Sequence, residues 1–493
     1  MTPKIKVADP AYNAGIICEN LEEAYGKGAK LIVFPELCLT GYTCGDLFLQ
    51  DTLLEGALSQ LLQIADVTRG RDALVMVGLP LQRDGNLYNV AAVLQDGEIL
   101  GIIPKANIPS YAEFYEGRHF AQGNREPVEY RLGGKRIPFG THILFQCENM
   151  KGLTVGCEIC EDLWVASPPG TAHALAGATV LANLSASNET VGKDEYRELL
   201  VKSASARLLC GYVYTSAGEG ESTQDLVFGG HNLIAENGIV LAQSKRFTGG
   251  ALYGDLDVHR LLSHRRRMGT FGQGAGEVHT IVPFRLTMEQ TRLERTFERM
   301  PFVPAEEEKC RLRCEEILSI QSYGLKKRYE HTGAKKAVLG LSGGLDSTLA
   351  LLVTARTFDL LEYDRRGIVA VTMPCFGTTG RTYDNACKLA GSLHVTLEEV
   401  DIREAVTVHF ADIGQDLDRH DVTYENGQAR ERTQVLMDIA NREGGLVIGT
   451  GDMSELALGW ATYNGDHMSM YGVNAGVPKT LVRHLVKYYA DTC

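Results

Sequence analysis

Two groups of residues in this 493-residue chain have the types that chemistry needs. The first is scattered. Glu36 in LIVFPEL, Lys105 in GIIPKAN and Cys160 in VGCEICEDLW each stand where an apolar run stops. A strand end is a rigid mount whose side chain meets a pocket rather than the core. A thiolate is a nucleophile, a nearby ammonium lowers a thiol's pKa, and a carboxylate can carry its proton, so the three together suit covalent attack on a carbonyl. Taken singly, Glu36 and Lys105 read as solvated charges and Cys160 as a small buried residue. The second group is contiguous. Residues 337–347, AVLGLSGGLDS, carry an apolar strand into a Gly-rich turn ending in Asp346 and Ser347. Gly343 and Gly344 let backbone N–H groups approach an anion, Ser342 and Ser347 add hydroxyl donors, and a helix beginning near Ser347 adds its positive end. No Lys follows the glycines, as transfer of a γ-phosphate by a Walker A loop would require. A turn with no ligand is the plainer alternative.

The elements that must hold these groups differ between the two halves. Up to about residue 285, short continuous apolar runs alternate with helices: LIVF at 31–34, ALVMVGL at 73–79, LTVGCEI at 153–159, ATVLANL at 178–184 and YVYTSA at 212–217. Such runs suit strands buried on both faces. Asp96-Gly97 and Asn237-Gly238 predict hairpins. A layered α/β sandwich over 1–285 follows. Residues 286–330 are polar and charge-rich, with Pro301 and Pro304, and read as a connection leading into a helix from about Ala305 to Tyr329. From 331 to 493 strands alternate with helices: AVLGL, a helix after Ser347, IVAVTM, a helix after Arg381, VTLEEVDI, a long helix after Gln428, and GLVIGT. That rhythm implies a parallel sheet with ligands at the carboxyl ends of its strands, where the Gly-rich turn lies.

Composition narrows the classes. The length exceeds what one core usually supports, so two domains are expected. A net charge of −13 argues against nucleic acid or an anionic membrane as the main partner. No apolar run approaches the roughly 20 residues that span a bilayer. The opening MTPKIKVADPAYN lacks the apolar stretch of a signal peptide, so a cytoplasmic chain is expected. Twelve scattered Cys suit free thiols better than a disulfide framework. Cys157 and Cys160 form a lone C-x-x-C without the second pair that a zinc site needs.

The text around these residues is more specific. FPELCLTGY, IIPKANIPSYAEFYEGRHF and EICEDLW resemble the Glu, Lys and Cys motifs of the nitrilase, or carbon–nitrogen hydrolase, superfamily, an α-β-β-α sandwich. The resemblance implies Glu36 as general base, Lys105 as the stabiliser of a tetrahedral oxyanion and Cys160 as the residue that forms a thioester. Glu113 matches the second active-site glutamate, and Tyr111, Glu113, Glu161, Ser187 and Lys193 would contact glutamine. Lys193 stands where relatives carry Arg, which keeps the charge without the bidentate fork. SGG-x-DS resembles the pyrophosphate loop of the ATP pyrophosphatases, a Rossmann-like, adenine nucleotide α-hydrolase-like fold that cleaves ATP between the α- and β-phosphates.

A nitrilase module ahead of such a loop resembles the glutamine-dependent NAD synthetases, as do YENGQARERTQ and VIGTGDMSELALGWATYNGDHMSMYGVNAGVPKT. This implies that Gly340, Leu341, Ser342, Gly343, Gly344, Leu345, Asp346, Ser347 and Thr450 bind ATP. Asn426, Arg430, Glu455, Trp460, Ala461, Thr462 and Tyr463 would line a deamido-NAD site. Asp346 and Glu455, as hard oxygen donors, would hold Mg²⁺. The implied reaction is ATP-dependent amidation of deamido-NAD through an adenylate, with ammonia from L-glutamine, in a homo-oligomer. The family pattern continues past both ends of the sequence, which reads as shortening. A glutaminase with a silent nucleotide-binding domain, or a non-catalytic subunit pairing with longer partners, are the rival readings.

Overall fold

The computed structural model describes residues 1–272, 277–290, 292–376 and 380–492. It divides into two compact units, Met1–Thr296 and Phe297–Cys493.

In the first unit two sheets face each other. One runs in the order Leu31–Val33, Leu74–Arg83, Asn86–Gln95, Glu98–Pro104, Lys135–Phe139 and Val128–Leu132. The other runs Ile239–Gln243, Leu233–Glu236, Gly211–Ser216, Val180–Ser185, Thr154–Ile159, Ile143–Cys147 and Thr280–Phe284. Strand side chains alternate between faces. Thus Val75, Val77 and Leu79 pack with Ile17, Leu21, Leu61 and Ile64 of the helices Pro10–Gly26 and Asp51–Val67. Leu74 and Met76 turn the other way, into a core shared with Phe145, Val155, Cys157 and Val180 of the facing sheet. The helix Lys193–Arg207 covers the far side, with Val201 and Ala204 against Leu181, Tyr212 and Leu233. The layers are therefore α-β-β-α, and both faces of the central strands are buried, which is why their sequences are continuous apolar runs. Both expected hairpins form with positive φ at the two turn residues, 48° and 79° at Asp96-Gly97 and 46° and 83° at Asn237-Gly238, as a type I′ turn demands. The N-terminal residue is buried in this unit, its amine donating to Val33 O at 3.0 Å.

The second unit holds a parallel sheet in the order Thr396–Glu399, Ile368–Thr372, Ala337–Gly340, Leu446–Gly449 and Tyr471–Gly472. From the central strand Ala337–Gly340 the chain first adds strands on one side and then crosses to add Leu446–Gly449 on the other. The crevice beyond the carboxyl ends of those two adjacent strands is the topological switch point, where open α/β sheets take ligands. Helices Glu307–Thr332, Leu345–Leu360 and Lys479–Thr492 share one core with Leu339 and Ala370, and Val422–Glu443 packs Ile439 and Ala440 on the other face against Val338 and Val371.

The stretch 286–330 does not stand apart as a connection. Leu286 lies in the first unit's inter-sheet core, and Arg295 donates to Glu236 Oε1 and Oε2 at 2.8 and 3.0 Å. The helix Glu307–Thr332 gives Leu318, Leu325 and Tyr329 to the second unit's core. The long helix expected after Gln428 starts at Val422, because Asp421 caps it by accepting from Thr423 N and Tyr424 N at 3.0 and 3.2 Å.

Candidate functional sites

Glu36, Lys105 and Cys160 all follow strand ends of the first unit: Leu31–Val33, Glu98–Pro104 and Thr154–Ile159. Glu36 and Lys105 have no solvent exposure. Lys105 Nζ donates to Glu36 Oε1 at 2.7 Å and to Glu116 Oε1 at 2.6 Å. Burying charges is costly unless they are paired and their remaining lone pairs are satisfied. Here Asn89 Nδ2 donates to Glu36 Oε1 at 2.6 Å, Ala186 N donates to Glu36 Oε2 at 2.7 Å, and Tyr42 OH donates to Glu116 Oε1 at 2.9 Å.

Glu116, not Glu113, is therefore the second carboxylate on the lysine. Glu113 accepts from Asn188 Nδ2 at 2.8 Å instead, and its carboxyl is held below the usual range by its own backbone N–H and by Asn188. Spacing from Lys105 could not choose between two glutamates three residues apart in AEFYEG.

Cys160 sits on a turn with φ of 43°, rare for a residue other than glycine. Strained backbone of this kind concentrates at active sites. Its thiol differs from expectation. Burial first and Glu36 second push its pKa well above the ordinary thiol value, and Lys105 only partly opposes them. The reason is charge balance: the ammonium is already shared by two carboxylates, so a thiolate would add a further buried negative charge. These surroundings favour the thiol over the thiolate at Cys160.

Cys160 opens into a cavity of about 430 Å³ that Tyr111, Glu113, Phe114, Glu161, Trp164, Ser187 and Lys193 line. Every residue matched to glutamine binding lies there. Tyr111 OH donates to Glu161 Oε1 at 2.8 Å. Lys193 donates to Asn188 Oδ1 and sits 5.2 Å from the ring centre of Trp164; burial lowers its pKa. Ser187 Oγ accepts from the buried Arg197 at 3.2 Å. Sequence reasoning missed Glu116, Asn89, Tyr42 and Arg197. Only Asn89, a polar residue within the buried run of the strand Asn86–Gln95, carried a signal, since such a group needs a partner. Cys157 packs in the inter-sheet core away from this cavity, and the eleven described cysteines form no disulfide with one another.

In the second unit the Gly-rich turn, Thr450 and Glu455 lie beyond the ends of Ala337–Gly340 and Leu446–Gly449. Gly343 has φ of 77°, and a Cβ there would lie 2.1 Å from Thr382 O, so only glycine fits. Ser342 Oγ and Ser347 Oγ are 3.1 Å apart, and the helix Leu345–Leu360 starts inside the motif. Asp346, Asp452 and Glu455 bring carboxylate oxygens within 4.8 Å of one another. Lys479 Nζ reaches one oxygen of each at 2.9 Å, and that triple contact raises the lysine's pKa against the lowering effect of burial. Three hard oxygen donors, with Asp346 Oδ1 buried and without a hydrogen-bond partner, fit a divalent cation. Asp452 and Lys479 join Asp346 and Glu455 as members that spacing did not suggest. Asn474 Nδ2 ties the two strand ends together, donating to Asp346 O at 3.0 Å and Thr450 O at 3.1 Å. Arg430 Nε donates to Tyr463 O at 3.2 Å, and Asn426 lies one turn before Arg430 on the same helix. Trp460 and Tyr463 are 79% and 73% exposed, so this group forms an open surface rather than a closed pocket. No helix among the described residues is long and apolar enough to cross a membrane.

Comparison with known proteins finds a matching family for each unit. The carbon-nitrogen hydrolase family matches residues 1–266 and the NAD synthase family residues 317–491. The glutamine-dependent NAD(+) synthetase of Mycobacterium leprae is 44% identical over 99% of this chain and 74% of its own length. That of Aquifex aeolicus is 31% identical over 98% and 79%. A solved glutamine-dependent NAD(+) synthetase from Cytophaga hutchinsonii aligns with 100% of this chain and 80% of its own, at 24% identity and a TM-score of 0.47. Neither rival reading, a glutaminase with a silent nucleotide-binding domain or a non-catalytic subunit pairing with longer partners, draws support from these matches. With both modules matched in order and nearly the whole chain aligned to such relatives, the chain belongs to the glutamine-dependent NAD(+) synthetase family.

Proposed function

We propose that the first unit hydrolyses L-glutamine at Cys160 and that the second uses the ammonia, with ATP, to amidate deamido-NAD. The observation that carries the assignment is the buried Glu36–Lys105–Glu116 cluster near the strained turn of Cys160, which itself lines the cavity. As Sγ attacks the side-chain amide carbon, its proton passes to Glu36, and Lys105 Nζ faces the oxygen that becomes negative. The C–N bond then breaks, the proton held by Glu36 goes to the leaving nitrogen, and ammonia departs from a thioester. Water, deprotonated by Glu36, hydrolyses the thioester to glutamate and restores the thiol. Glu116 fixes the ammonium from its other side, with Tyr42 and Asn89 holding the carboxylates. Glu161 with Tyr111, and Lys193, present charges of opposite sign in the cavity, as a zwitterionic amino acid requires.

In the second unit residues 340–347 and Thr450 surround the switch point and receive ATP, while Asn426, Arg430, Glu455 and residues 460–463 take the dinucleotide. Adenylation of the nicotinate carboxylate releases diphosphate, and ammonia then displaces AMP to give NAD. Asp346, Asp452 and Glu455 would hold Mg²⁺, which supplies charge neutralisation to the phosphates. A homo-oligomer in the cytoplasm belongs to the same reading, supported by the family and by an acidic chain with free thiols. Cys160→Ala is expected to abolish glutamine-driven NAD formation and keep the ammonium-driven reaction, whereas Cys157→Ala keeps both. The reverse pattern in the two variants would refute the assignment.

A further inference from the structure

One buried carboxylate next to the nucleophile has no part in the chemistry above. Asp162, two residues after Cys160, turns its oxygens onto two separate stretches of chain. Oδ2 accepts from the backbone N–H of Ile159, the residue before the nucleophile, at 2.9 Å. Oδ1 accepts from both the backbone N–H and the side-chain Nδ2 of Asn107 at 2.8 Å, and Ala106 N lies 3.4 Å from Oδ2. Ala106 and Asn107 directly follow Lys105. One carboxylate thus joins the turn that carries the nucleophile to the loop that carries the lysine, although the two arise from different sheets.

The join answers a mechanical need. With φ of 43°, Cys160 would relax to negative φ if its flanking peptides were free. The residue before it is anchored through its own N–H by Asp162, and Asp162 lies on the same short 3-10 turn, Cys160–Leu163, so the turn is held at both of its ends. The neighbouring buried carboxylate does a different job: Glu158 accepts from Tyr212 OH and, at 2.7 Å, from Gly170 N, on the helix side of the sheet. We propose that Asp162 is a positioning residue of the glutaminase, setting the placement of Cys160 Sγ against Lys105 Nζ by holding both chain segments from one side chain. The inference rests on Cys160 being the nucleophile, which Cys160→Ala tests by itself.

Asp162→Asn keeps the shape but faces an NH₂ toward one of the two sets of N–H donors, so one end of the join opens. Misplacement by about 1 Å costs roughly 100-fold in rate. The expected result is a fall of that order in kcat for glutamine hydrolysis with KM within about threefold, because the cavity walls are untouched. Iodoacetamide alkylation of Cys160, followed on its peptide by mass spectrometry, slows in parallel, and ammonium-driven NAD formation stays at the wild-type rate. Glu158→Gln makes the same chemical change at an equally buried carboxylate and is expected to keep kcat. A wild-type kcat in Asp162→Asn, a loss confined to KM, or an equal loss in Glu158→Gln overturns the proposal. Should Asp162→Asn fail to fold, Asn107→Ala, which removes one of the contacts, is expected to lower kcat several-fold, and an unchanged kcat there overturns it as well.

Discussion

Glu158 offers a prediction whose size follows from its surroundings. It is buried in the middle of the sheet that carries Cys160, and burial, with Asp162 adding, pushes its carboxyl up to about 7 despite the bonds from Tyr212 and Gly170. Its unfolded value is near 4.5. Because the folded pKa is the higher one, the folded chain retains a proton that the unfolded chain releases between these values. Stability is therefore greatest at low pH and declines as pH rises toward 7, then levels off. A shift of that size corresponds to about 3 kcal/mol, of which about 2 kcal/mol falls between pH 5.5 and 8.5. Glu158→Gln removes the titration. The test is urea unfolding of the full chain at pH 5.5 and 8.5, with the first unit's transition followed separately. The variant should gain about 2 kcal/mol on the wild type between the two pH values, equivalent to a relative rise of about 4 °C or more in its thermal midpoint. A difference between variant and wild type that stays constant with pH, or one that moves in the opposite direction, would refute the reasoning, since burial would then not be holding the proton on.

Three further outcomes follow from particular contacts. Glu116→Gln should cut glutamine hydrolysis by about 100-fold or more, whereas Glu113→Gln, which lies on the cavity wall, should act mainly on KM; equal effects on kcat would return the second glutamate's role to doubt. Lys479→Met takes the one ammonium out of a three-carboxylate cluster, so Mn²⁺ titrated without nucleotide, and read by electron paramagnetic resonance, should bind at least tenfold more tightly; unchanged or weaker binding would place the cation elsewhere. Gly343→Ala drives a methyl into Thr382 O and a side chain into positive φ, and should cost about 1–3 kcal/mol or displace the loop, seen as lost ATP binding in calorimetry with glutamine hydrolysis intact.

What could be read in advance was what lies close together in sequence. The hairpins at 96–97 and 237–238 are written in two residues each, and Asp84-Gly85 and Gly133-Gly134 carry the same signal at two further hairpins. Glu36, Lys105 and Cys160 are marked by where apolar runs stop, and the switch-point turn by its glycines. The residues that stayed hidden are those whose local role is already complete. Asp452 with Glu455 reads as a helix cap, and it is one: its Oδ1 accepts from Ser454 N at 2.7 Å and Glu455 N at 3.0 Å. Only its other oxygen belongs to the site, 2.9 Å from Lys479. Asn89, equally, is one polar letter in NLYNVAAVLQ until the fold sets it against Glu36. A carboxylate has two oxygens and an amide has separate donor and acceptor ends, so one side chain can satisfy its own turn and still serve a partner far away in sequence. Such a residue carries no local anomaly, and in this chain it is a partner from another strand or helix, brought near only by the fold, that gives it a second role.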